Sequence, residues 1–89
     1  MTTYKTIIRS SAQKVLKKLE PKLRTRIAER VYQLGQNPDA PALDVKPLKG
    51  AENHFRLRIG SWRVIFARDD EIRILSIEKI GSRGDIYKH

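Results

Sequence analysis

Hydrophobic positions recur along this chain at several spacings, and each spacing predicts a different element. From Tyr4 to Arg9 a short apolar-rich run contains the adjacent β-branched pair Ile7-Ile8; it is too short for a useful helix and reads as a first strand. Ser10-Ser11-Ala12-Gln13 has the Ser-x-x-Gln form of a capping box. Ala12, Val15, Leu16 and Leu19 follow at helical spacing, with Lys14, Lys17 and Lys18 between them. A second helix opens at Pro21, a residue suited to a first turn. Its apolar face is Leu23, Ile27, Val31 and Leu34, and Gly35 marks its end at a C′ position. The two helices read as a hairpin.

Between Gln36 and Gly50 the periodicity stops and Pro38, Pro41 and Pro47 accumulate, which predicts a long surface connection. Strict alternation then returns in two runs, His54 to Ile59 and Trp62 to Ala67, separated by Gly60-Ser61, which suits a two-residue hairpin turn. Asp69-Asp70 makes the next turn. Glu71 to Ile80 is a longer strand with apolar residues of both parities, as expected of a central strand covered on both faces. Residues 81–89 close the chain as a polar, glycine-containing turn. The order strand, helix, helix, strand, strand, strand predicts an α+β fold in one domain spanning residues 1–89. In it an antiparallel four-stranded sheet carries the helical hairpin on one face and leaves the other face open.

The hairpin register carries the chemistry. With Gly60-Ser61 as the turn, Ile59 lies opposite Trp62, Arg58 opposite Arg63, Leu57 opposite Val64, Arg56 opposite Ile65 and Phe55 opposite Phe66, and directly paired residues share a face. One face is then apolar and packs on the helices. The other gathers His54, Arg56, Arg58 and Arg63, like charges side by side whose repulsion no acid within the hairpin relieves. Guanidinium forks converging on a sheet face match phosphate, because they donate paired hydrogen bonds and stay charged at any physiological pH. The plainer alternative is a solvated outer face, with Glu78 or Asp69-Asp70 folded back to pair the arginines. Tyr87 follows a glycine-containing turn with Arg83 four residues before it, so both could reach the arginine face; otherwise the phenol merely packs. Trp62 and Phe55 read as core, and the first helix's lysines as a solvated face.

Composition narrows the classes. Nineteen Lys and Arg against ten Asp and Glu leave a net charge of +9, which suits an anionic partner, and 39 % hydrophobic residues argue for a globular chain. The absence of cysteine excludes disulfides, thiolate catalysis and cysteine metal sites, and is compatible with a reducing cytoplasm. No stretch approaches the roughly 18 apolar residues of a membrane span, so neither a membrane partner nor a secretory leader is expected.

Leu48-Lys49-Gly50, the hairpin Phe55 to Phe66 and the ending Arg83-Gly84-Asp85-Ile86-Tyr87 together resemble toxins of the RelE/ParE superfamily from toxin–antitoxin pairs, more closely the RelE branch. The resemblance implies an endoribonuclease that enters the ribosomal A site beside the 16S ribosomal RNA, cuts messenger RNA and stops translation. It also implies that no cofactor or metal is required, and that a cognate antitoxin neutralises the toxin in a heterotetramer or larger complex. Cleavage would proceed by attack of the ribose 2′-hydroxyl on the adjacent phosphorus. Position by position, Arg56 and Arg58 fall where the family places basic strand residues that bind phosphate, Arg63 where it places a transition-state arginine, and Arg83 and Tyr87 in its Arg-x-Asp-x-Tyr ending. Some members carry lysines at the positions of Arg56 and Arg58, and an arginine at that of Gly81. A base and an acid are therefore not assigned by the pattern; Tyr87 and His54 are the candidates. Two other readings remain: a ParE-like inhibitor of DNA gyrase that cleaves nothing, and an inactive RNA-binding homologue.

Overall fold

The alternation becomes a two-faced sheet. A computed structural model describes residues 3–82. The elements are β1 (Lys5–Ile8), α1 (Ser10–Lys18), α2 (Pro21–Gln36), β2 (Asp44–Pro47), β3 (His54–Ile59), β4 (Trp62–Asp69) and β5 (Ile74–Gly81). Five strands, not the four expected, form one sheet in the order β1-β5-β4-β3-β2. The sheet is mixed rather than antiparallel, because β1 pairs parallel to β5 while the remaining pairs are antiparallel. The chain starts at one edge, crosses one face as the helical hairpin, and re-enters at the opposite edge as β2. The α+β class and the helices on one face agree with expectation.

The additional strand lies where a surface connection was expected. β2 has one half-buried apolar residue, Val45, and ends in Pro47, opposite Phe55. Proline is tolerated there because an edge strand has no neighbour on its outer side. The hairpin register is as expected at every position from Phe55↔Phe66 to Ile59↔Trp62. Gly60, at φ 60°, provides the left-handed first position of a tight turn.

β5 begins at Ile74, later than expected, and Ile72 is exposed in the turn. Leu75, Ile77 and Ile80 are all buried on the helix side, a spacing that strict alternation cannot deliver. A bulge opposite Ile65/Phe66 absorbs the extra residue: Ile77 pairs with Phe66 and Lys79 with Ile65, leaving Glu78 unpaired between them. The bulge thus brings Ile80 to the helix side, whereas of the other-parity residues Ile72 lies outside the strand and Ile74 is half-buried on the opposite face from Leu75.

The core lies between the sheet and the helices, with Phe66, Ile27, Leu34, Leu57, Leu75, Ile77 and Val64 essentially fully buried. Phe55 stacks on Phe66 with ring centroids 5.6 Å apart, and Phe55 and Trp62 both pack against this core, as expected of them. Two helix-end expectations are corrected. Arg9, not Ser10, is the N-cap of α1 and makes no side-chain cap; Gln13 Nε2 instead donates to the Ile8 carbonyl (2.8 Å) and Ser11 Oγ to the Glu78 carbonyl (2.9 Å). Gly35 lies inside α2, which ends at an extended Asn37. The Tyr4 N–H donates to the Gly35 carbonyl at 2.7 Å, and a Cβ on Gly35 would sit 2.7 Å from Thr6 Oγ1. Glycine is there so that β1 can approach the helix. Among the described residues no helix is long and apolar enough to cross a membrane.

Candidate nucleic-acid interface

Direct pairing arranges the open face of the sheet in rows. Asp44, Arg58, Arg63 and Gly81 form the row nearest the Gly60 turn; Lys46, Arg56, Ile65 and Lys79 the next; His54, Ala67, Ser76 and Ile7 the third. Arg58 and Arg63 are thus neighbours across the strands, as the sequence implied. Each steadies itself on the turn backbone: Arg58 Nε donates to the Gly60 carbonyl (3.1 Å) and Arg63 Nη1 to the Ser61 carbonyl (3.2 Å). Neither has a carboxylate within ion-pairing distance among the described residues.

Arg56 sits lower in the face. Its side chain is 12 % exposed, its Nη2 lies 3.5 Å from Asp44 Oδ1, and its Nη1 is buried with no acceptor among the described residues. A buried guanidinium N–H without an acceptor is costly, so this atom is suited to an incoming anion oxygen. Ile65 is only 5 % exposed although it lies opposite the main core. Its direct partners Arg56 and Lys79 can cover it with their aliphatic stems while their charged ends reach outward.

His54 is separated from the arginine row by four residues of β3, about 14 Å of strand. Its ring is held at both nitrogens, Nδ1 2.9 Å from the Glu52 carbonyl and Nε2 3.1 Å from Glu78 Oε1. The bulge in β5 places Glu78 there. Of the acids suggested as arginine partners, Glu78 thus engages His54 and Asp70 engages an arginine outside this face, Arg68. Asp44, which lies on a strand not foreseen, is the acid that does reach the arginine face. Arg83 and Tyr87 lie outside the described residues. Among the described residues no three His, Asp or Glu side chains converge as a metal site.

A second charged cluster, on the helix side of the sheet, was missed. Arg68 donates to Asp39 through Nη1 (2.8 Å) and Nη2 (3.0 Å) and to Asp70 through Nε (2.6 Å), while Tyr4 Oη donates to the same Asp70 oxygen at 2.8 Å. The guanidinium also lies over the Tyr4 ring (5.6 Å) and the Phe55 ring (6.0 Å). The hydrogen bonds to Arg68 hold the Asp39 and Asp70 carboxyls below their ordinary range. Asp39 in turn raises the Arg68 pKa, and the bond to Asp70, with burial, raises that of Tyr4. The signal in the sequence was parity, because Arg68 continues the apolar series Trp62, Val64, Phe66. The cluster ties the residue just before β1, the loop before β2 and the β4–β5 turn together, and it lies away from the arginine row.

A small α+β domain with a helical hairpin on one face of its sheet places the chain among a family of toxins. The model of that family, the ParE toxin of type II toxin–antitoxin systems, matches residues 6–87, and the chain belongs to it. Its relatives carry the RelE name. A Methanocaldococcus jannaschii protein named toxin RelE1 is 36 % identical over 77 residues, covering 85 % of this chain and 86 % of its own length. Among solved structures, the archaeal RelE–RelB complex from Pyrococcus horikoshii OT3 contains a chain that matches with a TM-score of 0.79 at 29 % identity, covering 94 % of this chain and 98 % of that one. The RelBE2 toxin–antitoxin complex from Mycobacterium tuberculosis matches with a TM-score of 0.79 at 27 % identity, over 96 % and 97 %. This chain is a toxin of the RelE type.

Proposed function

We propose that the protein is an endoribonuclease that cleaves messenger RNA on the ribosome, stopping translation until a cognate antitoxin covers it. The observation that carries the reading is the Arg58–Arg63 row, where two guanidiniums on adjacent strands are anchored to backbone carbonyls and have no carboxylate partner among the described residues. Arg56, with an N–H lacking an acceptor, lies one row away.

In the proposed reaction the 2′-oxygen forms a bond to phosphorus as the bond from phosphorus to the 5′-oxygen breaks. The 2′-hydroxyl proton passes to a base, and an acid protonates the leaving oxygen, giving a cyclic phosphate and a free 5′-hydroxyl. The step needs no metal, because Arg58 and Arg63 hold the non-bridging oxygens and stabilise the extra negative charge that develops on them. Arg56 binds the neighbouring phosphate. Gly81, in the Arg63 row, precedes Arg83 by two residues and Tyr87 by six, so chain length allows both to reach this row. Tyr87 is the better candidate for proton transfer there, since His54 is held by Glu78 two rows away. Antitoxin binding is supported by the RelE–RelB and RelBE2 complexes among the structural neighbours.

The test is a map of new 5′ ends after brief expression, on a translated message and on the same message without its start codon. Cuts within the reading frame that vanish without translation are expected. Growth arrest with DNA damage and no cuts would replace this reading with gyrase inhibition, the alternative left open by the ParE name of the family.

A further inference from the structure

Positive charge does not stop at the edge of the arginine face. Beyond the end of β2, between α2 and the hairpin turn, lies a cleft of about 130 Å³ lined by Arg26, Arg30, Arg58, Asp44 and Gly60 among others. On the same measure a single water needs roughly 10–15 Å³, so the cleft can admit a group larger than a water. Arg26 and Arg30 are one helical turn apart on α2 and point along the same flank. The Arg26 guanidinium reaches the turn, with Nη2 and Nη1 3.5 and 3.6 Å from where a Cβ on Gly60 would sit. Arg58 enters from the sheet and uses only Nε on the Gly60 carbonyl.

The charges in this cleft are unbalanced. Among the described residues neither Arg26 nor Arg30 makes a side-chain hydrogen bond or ion pair, and Arg30 is half-buried. Asp44 is the one carboxylate of the lining, and its Oδ1 faces Arg56. Arg26 and Arg58 are exposed and solvated, yet three guanidiniums against one carboxylate engaged elsewhere gather positive charge that an anion among them would relieve. Their planar forks, approaching from a helix and from a strand, suit an oxyanion with several acceptor directions.

We propose that Arg26, Arg30 and Arg58 form a second phosphate-binding site, which holds one backbone phosphodiester of an RNA strand where it leaves the arginine face around the edge of β3. The site rests on the ribonuclease reading for its ligand and extends it through Arg58, which belongs to both the row and the cleft. Arg26 and Arg30 bind and position the strand, so losing these two side chains raises KM and leaves kcat unchanged.

The test measures binding apart from cleavage. A short 2′-O-methyl RNA, which lacks the attacking hydroxyl, is titrated against wild type, Arg26→Ala/Arg30→Ala and a control of equal charge loss on α1, Lys14→Ala/Lys17→Ala. The cleft variant should bind about tenfold more weakly, and its plot of log affinity against log salt should flatten by about 0.7, the value for one phosphate contact on a single strand. The control should change far less. Arg26→Lys/Arg30→Lys should recover part of the loss, and amide shifts in wild type titrated with pyrophosphate should centre on Gly60 and saturate, a readout that needs no variant. Equal weakening in the control and cleft variants, or shifts spread over the whole surface, overturns the site. So does unchanged RNA affinity accompanied by lost antitoxin binding, which would make the cleft a protein contact. Weakening toward vacant ribosomes alone would assign the phosphate to ribosomal RNA, and weakening toward the oligonucleotide would assign it to the message. Wild type that binds RNA but never cuts refutes the nuclease reading and leaves the site standing; wild type that cuts, with binding unchanged in the cleft variant, refutes the site alone.

Discussion

Arg68→Ala should be among the most destabilising substitutions outside the apolar core. The side chain is 16 % exposed, yet its partner Asp39 is 66 % exposed, so that ion pair must be discounted for solvent screening to about 1 kcal/mol despite its two-pronged geometry. The guanidinium over the Tyr4 and Phe55 rings adds ~1 kcal/mol, and the covered stem ~1 kcal/mol. The total is about 2–3 kcal/mol, which for a domain of this size lowers Tm by roughly 10–20 °C. Urea unfolding followed by Trp62 fluorescence measures it. A double-mutant cycle with Asp39→Ala should return a coupling of about 1 kcal/mol. Acid provides an independent check. Arg68 holds the Asp39 carboxyl below its usual 3.8, so the stabilisation is complete above about pH 4 and is lost as pH falls through the lower folded value. Arg68→Ala should therefore flatten the acid limb of the stability curve. A loss under about 0.5 kcal/mol with an unchanged acid limb would show that the cluster is surface decoration.

Arg63→Ala should reduce cleavage by two or more orders of magnitude, about 1.4 kcal/mol of transition-state stabilisation for each tenfold, while its melting curve stays near wild type. Arg63→Lys should recover only part, because an ammonium keeps the charge but loses the fork; full toxicity of the alanine variant would refute the assignment. Gly35→Ala places its Cβ 2.7 Å from Thr6 Oγ1 and should cost about 1–3 kcal/mol by thermal melting. Adding Thr6→Ala removes the clashing atom and should restore part of the loss; no rescue would mean that the backbone carbonyl of Tyr4, not Thr6, sets the limit.

What was legible in the sequence was whatever depends on local pattern. Strict alternation on both sides of Gly60-Ser61 specifies the β3–β4 register, since a slip of one residue would turn every apolar side chain outward. The arginine row follows from that register alone. β2 was illegible because its existence rests on backbone pairing with β3, and four residues with one half-buried valine carry almost no pattern. The parallel pairing of β1 depends on how two helices cross the sheet, which no window of sequence records. Gly35 looked like a helix terminator because glycine commonly is one; its reason, the approach of Thr6, lies in another element. Nothing in the local pattern singles out Arg26 and Arg30, and only the packing of α2 beside Gly60 brings them to Arg58.

The same geometry determines where the charge of +9 acts. β4 runs from Trp62 to Asp69, about 24 Å of strand. At its far end lie Asp39, Asp69, Asp70 and Glu71, where Asp39 and Asp70 engage Arg68. In the third row Glu78 engages His54, and Asp44 is drawn to Arg56. The end at the Gly60 turn holds Arg26, Arg30, Arg58 and Arg63, none with a carboxylate partner among the described residues. Among the described residues Asp44 also lies at this end, but its Oδ1 faces Arg56, so the four guanidiniums outnumber the acid beside them and positive charge gathers at this pole of the sheet. A polyanion is drawn toward that pole before any specific contact forms, and the rigid hairpin that creates the pole also holds the guanidiniums that would receive the phosphate.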